Sequence, residues 1–113
     1  MDKPLIVVNF KTYETAMGDS ALTLAKAMDN FTDRDFRMIA VVSAFDLSTI
    51  SNSVSSVEVW SQHLDPVGKG SHTGWLEPDL ALHHGAVGTI INHAEHKVSI
   101  EPVSYTHLRA HET

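Results

Sequence analysis

The feature that most constrains this chain is its alternation of short apolar, β-branched runs with segments of helical periodicity. The run from Leu5 to Phe10 is almost continuously apolar, which is typical of a parallel strand buried on both faces. From Ala21 to Phe31, apolar residues recur at helical spacing behind the candidate N-cap Asp19-Ser20, which predicts an amphipathic helix. A second apolar run, 36–42, begins about thirty residues after the first, which is the size of a βαβ unit. The predicted apolar face of the helix comprises Ala21, Leu24, Ala25, Met28 and Phe31.

The same alternation continues to residue 91. The remaining predicted elements are a short helix at 46–52, a strand at 57–60, a helix at 77–84 with Pro78 in its first turn, and a strand at 87–91. This order predicts an α/β fold, in which a parallel sheet with right-handed crossovers is either doubly wound or part of a (β/α)8 barrel.

Composition excludes several classes of function. A chain of 113 residues predicts one domain, and its net charge of -6 argues against a nucleic-acid or anionic-membrane surface. The absence of cysteine excludes disulfides, thiolate catalysis and cysteine-ligated zinc. The longest apolar run, 5–8, is far too short to span a membrane, and no signal peptide is recognisable. We therefore expect a cytoplasmic enzyme or binding domain.

Polar residues follow the predicted strands at the edge where the active sites of parallel α/β folds lie. After the first strand, Lys11 is either an anion-binding cation or a solvated lysine, and Asn9 is either a buried hydrogen-bonding amide or a turn former. After the fourth strand, His93 could donate a proton and Glu95 could act as a base, unless both lie in a surface loop.

The high histidine count, 8, raises the alternative of a metal protein. The candidate pairs are His83 with His84, His93 with His96, and His107 with His111. A metal needs three or four convergent ligands, so we predict no native metal site. The glycine-rich loop 65–74 matches neither nucleotide-binding pattern, and its length, with Trp75 just beyond it, favours an interface.

Three segments together resemble the triosephosphate isomerase family, in particular its archaeal branch. They are 8–11 (VNFK), 62–67 (QHLDPV) running into 70–74 (GSHTG), and 85–95 (GAVGTIINHAE). The resemblance extends from Lys3 to Glu101. It implies a (β/α)8 barrel that interconverts dihydroxyacetone phosphate and glyceraldehyde 3-phosphate, in glycolysis and gluconeogenesis, without a cofactor.

The resemblance also implies roles for single residues. Asn9 and Lys11 would bind the substrate, with Lys11 offsetting its negative charge. His93 would polarise the carbonyl and move protons between the two oxygens, while Glu95 would pair with Lys11. The family is itself the familiar example of a neutral histidine working with a glutamate base. Thr73 would lie at the tip of a loop that reaches into a neighbouring subunit of a homo-oligomer, a dimer or a tetramer.

The chain also departs from the family pattern. Ala94 stands where the family commonly has a serine, a change that we expect to be tolerated. The catalytic glutamate, the closing lid and the phosphate-binding loops belong to the second half of the barrel. Residues 1–101 are therefore predicted to form the N-terminal half of the barrel, and the polypeptide alone is expected to be poorly stable or self-associating, and inactive.

The last segment, 102–113 (PVSYTHLRAHET), does not continue the strand–helix pattern. It is interpreted as a non-native tail, translated from adapter or vector sequence, with a frayed helix at 105–111 as the alternative.

One further hypothesis for the whole chain stays open. It is a complete small α/β module that binds phosphate through Lys11 and the glycine-rich loop without catalysis.

Overall fold

The structure is a computed structural model that describes residues 4–32 and 37–91. Its centre is a parallel sheet of three strands in the order β1-β2-β3. The strands are β1 (Leu5–Asn9), β2 (Arg37–Val42) and β3 (Glu58–Ser61), and the helices are α1 (Asp19–Thr32), α2 (Leu47–Ser51) and α3 (Pro78–His83). Short 3-10 turns lie at Glu14–Ala16 and Ala44–Asp46. No helix in the described ranges is long and apolar enough to cross a membrane.

One face of the sheet forms the core with the helices. The register places Val8 of β1 beside Ala40 of β2, and Ala40 beside Val59 of β3. Phe10, just after β1, is fully buried against the same cluster. The helices contribute Ala21, Ala25 and Met28 from α1 and Leu47 and Ile50 from α2. Since burying one large aliphatic side chain contributes about 1.5–3 kcal/mol, this face stabilises the sheet.

The opposite face of the sheet is only partly covered. Ile39 on the central strand is fully buried, whereas Leu5 and Val7 on β1 are each 50% exposed. The expectation that the first strand is buried on both faces is therefore wrong for this structure, because β1 is the edge of the described sheet and has a neighbour on one side only. At the start of this face, the guanidinium of Arg37 donates two hydrogen bonds to one carboxylate oxygen of Glu58, at 3.0 and 2.6 Å.

Phe31 does not lie on the buried face of α1, as its spacing predicted. It is 51% exposed, and the next residue, Thr32, is buried instead and donates its hydroxyl to the Met28 carbonyl oxygen at 3.2 Å. The buried stripe follows the sequence Ala21, Ala25, Met28 and Thr32. Because each residue turns a helix by about 100°, Phe31 falls off the edge of this stripe.

The predicted fourth strand, 87–91, is present only as a short parallel bridge within the described residues. The Val87 amide donates to the Val59 carbonyl oxygen, and the Ser61 amide donates to the Gly88 carbonyl oxygen, both at 3.0 Å. Thr89 then pairs with Ser61 in parallel. The segment thus lies beside β3 in the predicted direction. The helix before it, α3, is one residue shorter at each end than predicted.

Asp29 fastens α1 to the chain that leads into β3. Its Oδ1 atom accepts hydrogen bonds from the backbone amides of Ser56, at 2.7 Å, and Val57, at 2.8 Å. Its Oδ2 atom accepts from the amide of Ser55 at 3.0 Å. Burial raises the pKa of the Asp29 carboxyl, but the hydrogen bonds from these three residues outweigh it and hold the pKa below its ordinary value.

Replacing Asp29 with Asn should lower the free energy of unfolding by about 1–2 kcal/mol near neutral pH, because an NH2 group then faces a backbone N–H. The pKa of Asp29 is lower in the folded than in the unfolded chain. Its contribution is therefore complete above the unfolded value of about 4 and is lost as the pH falls through the folded pKa. Urea denaturation of both proteins from pH 7 down to pH 2 measures this.

The stability difference between the native chain and Asp29→Asn should shrink as the solution becomes acidic. Asp19→Asn, at an exposed aspartate on the same helix, is the matched control and should change stability less. A stability difference that stays constant with pH would contradict the assigned role of the Asp29 carboxylate.

Gly88 lies against the indole ring of Trp60, where a Cβ atom would come within 2.6 Å of Cε2. Gly88→Ala should therefore lower the free energy of unfolding by about 1–3 kcal/mol, because the ring or the chain must shift. Gly68→Ala is the control, since no atom lies within 4 Å of its Cβ position. Thermal denaturation followed by tryptophan fluorescence compares the two, and equal melting temperatures would show that the ring moves without cost.

Candidate functional site

The carboxyl ends of the three strands meet at one edge of the sheet, as the sequence predicted. Asn9 is the last residue of β1 and is half-buried. Phe10 follows and still belongs to the sheet, because its amide donates to the Val41 carbonyl oxygen at 2.9 Å. Lys11 is then the first residue beyond the sheet, and its ammonium places a positive charge at this edge.

The backbone of Lys11 is left-handed, with φ of 54°, and it is the one residue other than glycine with a positive φ in the described part of the chain. A lysine pays a steric cost for this conformation, which glycine and asparagine adopt far more readily. The Asn9 side chain supports the turn, because its Oδ1 atom accepts the Lys11 amide hydrogen at 2.9 Å. Asn9, a predicted substrate ligand, thus also shapes the backbone.

Gln62 completes this arrangement from the end of β3. Its backbone amide extends the sheet by donating to the Val42 carbonyl oxygen at 3.0 Å. Its side-chain Nε2 atom donates to the carbonyl oxygen of Lys11 at 2.8 Å. In the sequence, Gln62 lies in one of the segments that resemble the family, but that resemblance predicts no role for it. The available signal was a side-chain amide directly after a strand, where a backbone carbonyl outside the sheet needs a donor.

The ammonium of Lys11 lies 6.0 Å from the centre of the Tyr13 ring. This is the outer limit at which the face of an aromatic ring attracts a cation. Lys11 is half-buried, which strengthens its interactions with charged groups relative to those of a lysine in free solution. The edge of the sheet therefore presents a positioned cation, the chemistry that binds a small anion.

The predicted interface loop is closed at its base by Asp65. The Oδ1 atom of Asp65 contacts His63 Nε2 at 2.8 Å, and its Oδ2 atom accepts from the Leu76 amide at 2.7 Å. The Asp65 amide donates to the Leu76 carbonyl oxygen at 2.8 Å, so the two ends of the loop are hydrogen-bonded to each other. Thr73 lies exposed on this loop, and Trp75 is 54% exposed.

The structure brings together two of the predicted site residues, Asn9 and Lys11. His93 and Glu95 lie outside the described residues, so their predicted places at the end of the fourth strand stay predictions. Within the described ranges, no group of three or more histidine, aspartate or glutamate side chains could hold a metal ion. The His83 and His84 rings instead contact each other edge to face, with centres 5.4 Å apart.

Asp65→Ala should loosen the loop, because the Leu76 amide and His63 lose their shared acceptor. We expect trypsin to cleave after Lys69 about tenfold faster or more under native conditions, since cleavage follows local opening. Ser71→Ala, in the same exposed loop, is the control and should be cleaved at the native rate. Equal cleavage of Asp65→Ala and native protein would show that Asp65 does not hold the loop.

The family model described as triosephosphate isomerase matches residues 4–109 of the chain. The triosephosphate isomerase of Archaeoglobus fulgidus is 36% identical over 109 residues, which cover 96% of this chain and 48% of that protein. That of Methanothermus fervidus is 36% identical over 105 residues, 92% of this chain and 47% of that protein. The chain thus spans about half the length of the curated relatives it matches.

The fold shows the same likeness. The crystal structure of triosephosphate isomerase from Bartonella henselae superposes with a TM-score of 0.70 at 22% sequence identity. The superposition covers 88% of this chain and 41% of that chain. The parallel sheet and its helices therefore correspond to part of a barrel, and of the two architectures that the strand–helix order left open, the (β/α)8 barrel is confirmed.

Proposed function

The chain belongs to the triosephosphate isomerase family, and from that premise we propose that it forms the first half of an isomerase active site. The reaction is the interconversion of dihydroxyacetone phosphate and D-glyceraldehyde 3-phosphate, without a cofactor. The observation that carries the proposal is Lys11, a cation held in a strained backbone at the carboxyl edge of the sheet. Strain of this kind costs about 1–3 kcal/mol and is retained where the position of a side chain matters.

The proposed role of Lys11 follows from the charge of the reaction. The substrate carries a phosphate, and removal of a proton from carbon gives an enediolate that is more negative still. A fixed ammonium lowers the energy of this intermediate more than a mobile ammonium does, because no reorganisation is needed as the charge develops. Asn9 adds a side-chain amide beside it, and together they bind the substrate.

The proposed roles of His93 and Glu95 complete the first half of the site. His93 polarises the substrate carbonyl and moves the proton between the two oxygens, a task suited to an imidazole near neutral pH. Glu95 pairs with Lys11 and holds the ammonium in place. The base that takes the proton from carbon comes from the second half of the barrel, so the 113-residue polypeptide alone is expected to be inactive.

We also propose that the complete protein is a cytoplasmic homo-oligomer, with Thr73 reaching into a neighbouring subunit. What supports this is a loop whose base is closed by Asp65 and whose exposed surface includes a large aromatic side chain, Trp75. An exposed tryptophan on a fixed loop is typical of protein interfaces.

The assignment of residues 1–101 to the barrel, and of 102–113 to a non-native tail, is likewise a proposal. The family match runs past this boundary to residue 109. The genomic reading frame around Glu101 decides the question. A frame that continues into a helix and further strand–helix units would support the assignment, and one that encodes 102–113 would contradict it.

The isomerase proposal is tested in a completed barrel, made by joining residues 1–101 to the second half of the Archaeoglobus fulgidus relative. This protein should interconvert the two triose phosphates. His93→Gln should lower kcat by about 10²–10⁴-fold, the usual loss when a general acid or base is removed. Lys11→Met should abolish measurable turnover at substrate concentrations that saturate the parent protein, since the charge of the enediolate is left uncompensated.

Two variants control for the loss of a ring or a charge elsewhere. His83→Gln changes an exposed histidine on α3, and Lys26→Met changes an exposed lysine on α1. Both should keep the parent rate. A folded, completed barrel without turnover would overturn the proposed function, and full turnover by the 113-residue chain alone would overturn the claim that a second half is required.

A further inference from the structure

Both peptide groups that flank the Cα atom of Lys11 are held by side-chain amides. On one side, the Lys11 N–H donates to Asn9 Oδ1 at 2.9 Å. On the other, the Lys11 carbonyl oxygen accepts from Gln62 Nε2 at 2.8 Å. The angles φ and ψ describe rotation of these two peptide planes about Cα, so holding both planes fixes both angles. The left-handed conformation of Lys11 is therefore maintained from two directions.

The two supports differ in kind. Asn9 lies two residues before Lys11, so its bond is a local turn that an asparagine can form in many loops. Gln62 lies 51 positions away along the chain and reaches Lys11 from the far side of the sheet. Its own backbone is tied to β2 through the Val42 carbonyl oxygen. The position of Gln62 is thus set by the core of the sheet and not by the loop that it restrains.

We propose that Gln62 is a positioning residue that holds Lys11 in its left-handed conformation and so aims the ammonium at the anionic substrate. The substrate part of this inference rests on the proposed function. Without the Gln62 donor, the strained backbone relaxes toward the ordinary negative φ of a lysine. That rotation redirects the Cα–Cβ bond, and the ammonium, four carbons further along the side chain, moves with it.

The first measurement uses the 113-residue chain and needs no activity. A residue with positive φ has a short distance between its amide and α hydrogens, so Lys11 should show a much stronger intraresidue nuclear Overhauser effect than Val8, which lies in the extended strand. In Gln62→Met, which keeps the length and loses the donor, the effect at Lys11 should fall to the level of Val8. Gln62→Glu, which keeps the shape and replaces the donor by an acceptor, should behave likewise.

Asp29→Asn is the control for general destabilisation. Because Asp29 lies at the junction of α1 and β3, this substitution should lower the melting temperature without altering the conformation of Lys11. If Gln62→Met keeps the strong effect at Lys11, the proposal is overturned. Should the Gln62 variants fail to fold, the unaltered chain still decides. The side-chain amide protons of Gln62 should exchange with solvent at least tenfold more slowly than those of the exposed Asn30, and equal rates would overturn the proposal.

The second measurement separates positioning from stability in the completed barrel. Gln62→Met should lower kcat/KM by about tenfold to a hundredfold, mainly through KM, because a shift of about 1 Å in a substrate-binding group has effects of this size. Asp29→Asn should leave both constants at parent values at the same temperature. If kcat/KM of Gln62→Met equals that of Asp29→Asn, Gln62 has no positioning role in the reaction. A completed barrel that lacks turnover with Gln62 intact would refute the proposed function but not the role of Gln62. The nuclear Overhauser effect at Lys11 tests that role independently of activity.

Discussion

Burial of β2 between two parallel neighbours is the constraint on which the rest of this structure depends. Residues 39–42 of β2 are fully buried, and their backbone pairs with β1 on one side and β3 on the other. Because the three strands run in the same direction, their carboxyl ends meet at one edge. Lys11 and Gln62, which are far apart in the sequence, become neighbours across the end of β2 for this reason.

The elements of the fold were largely predictable from the sequence, because apolar runs and helical spacing report what each segment must bury. The strands at 37–42 and 58–61 and the helix at 19–32 lie within a residue or two of their predicted places. What a segment packs against is another matter. Leu5 and Val7 look like core residues by composition, yet their exposure depends on whether a neighbour covers the edge strand, which no local pattern records.

The site was predictable in its location but not in its internal geometry. Polar residues after the strands identified Asn9 and Lys11, because parallel sheets bring such residues to one edge. The left-handed backbone of Lys11 has no sequence signal, since lysine has no preference for that conformation. Its support by Gln62 depends on a contact across the sheet. A side chain whose task is to bind a distant backbone group resembles any other polar residue until the fold is known.

Much of the loop structure is held by side chains that bind backbone groups of other segments. Asp29 accepts three amides before β3, Asp65 closes the interface loop, and Gln62 holds the turn after β1. In each case a group that regular secondary structure leaves without a partner obtains one from a side chain. The sheet supplies the anchor points, and these polar bonds transmit its rigidity to the loops.

The parallel pairing of β1 also determines the order of events while the chain is being synthesised. Leu5 pairs with Arg37, so β1 leaves the ribosome well before its partner strand does. At the usual rates of translation, the intervening stretch of about thirty residues takes about 2–6 s to make. The backbone amides that donate to Asp29, at 55–57, are synthesised later still. For seconds at a time, an apolar strand with no partner is therefore available to chaperones and to other nascent chains.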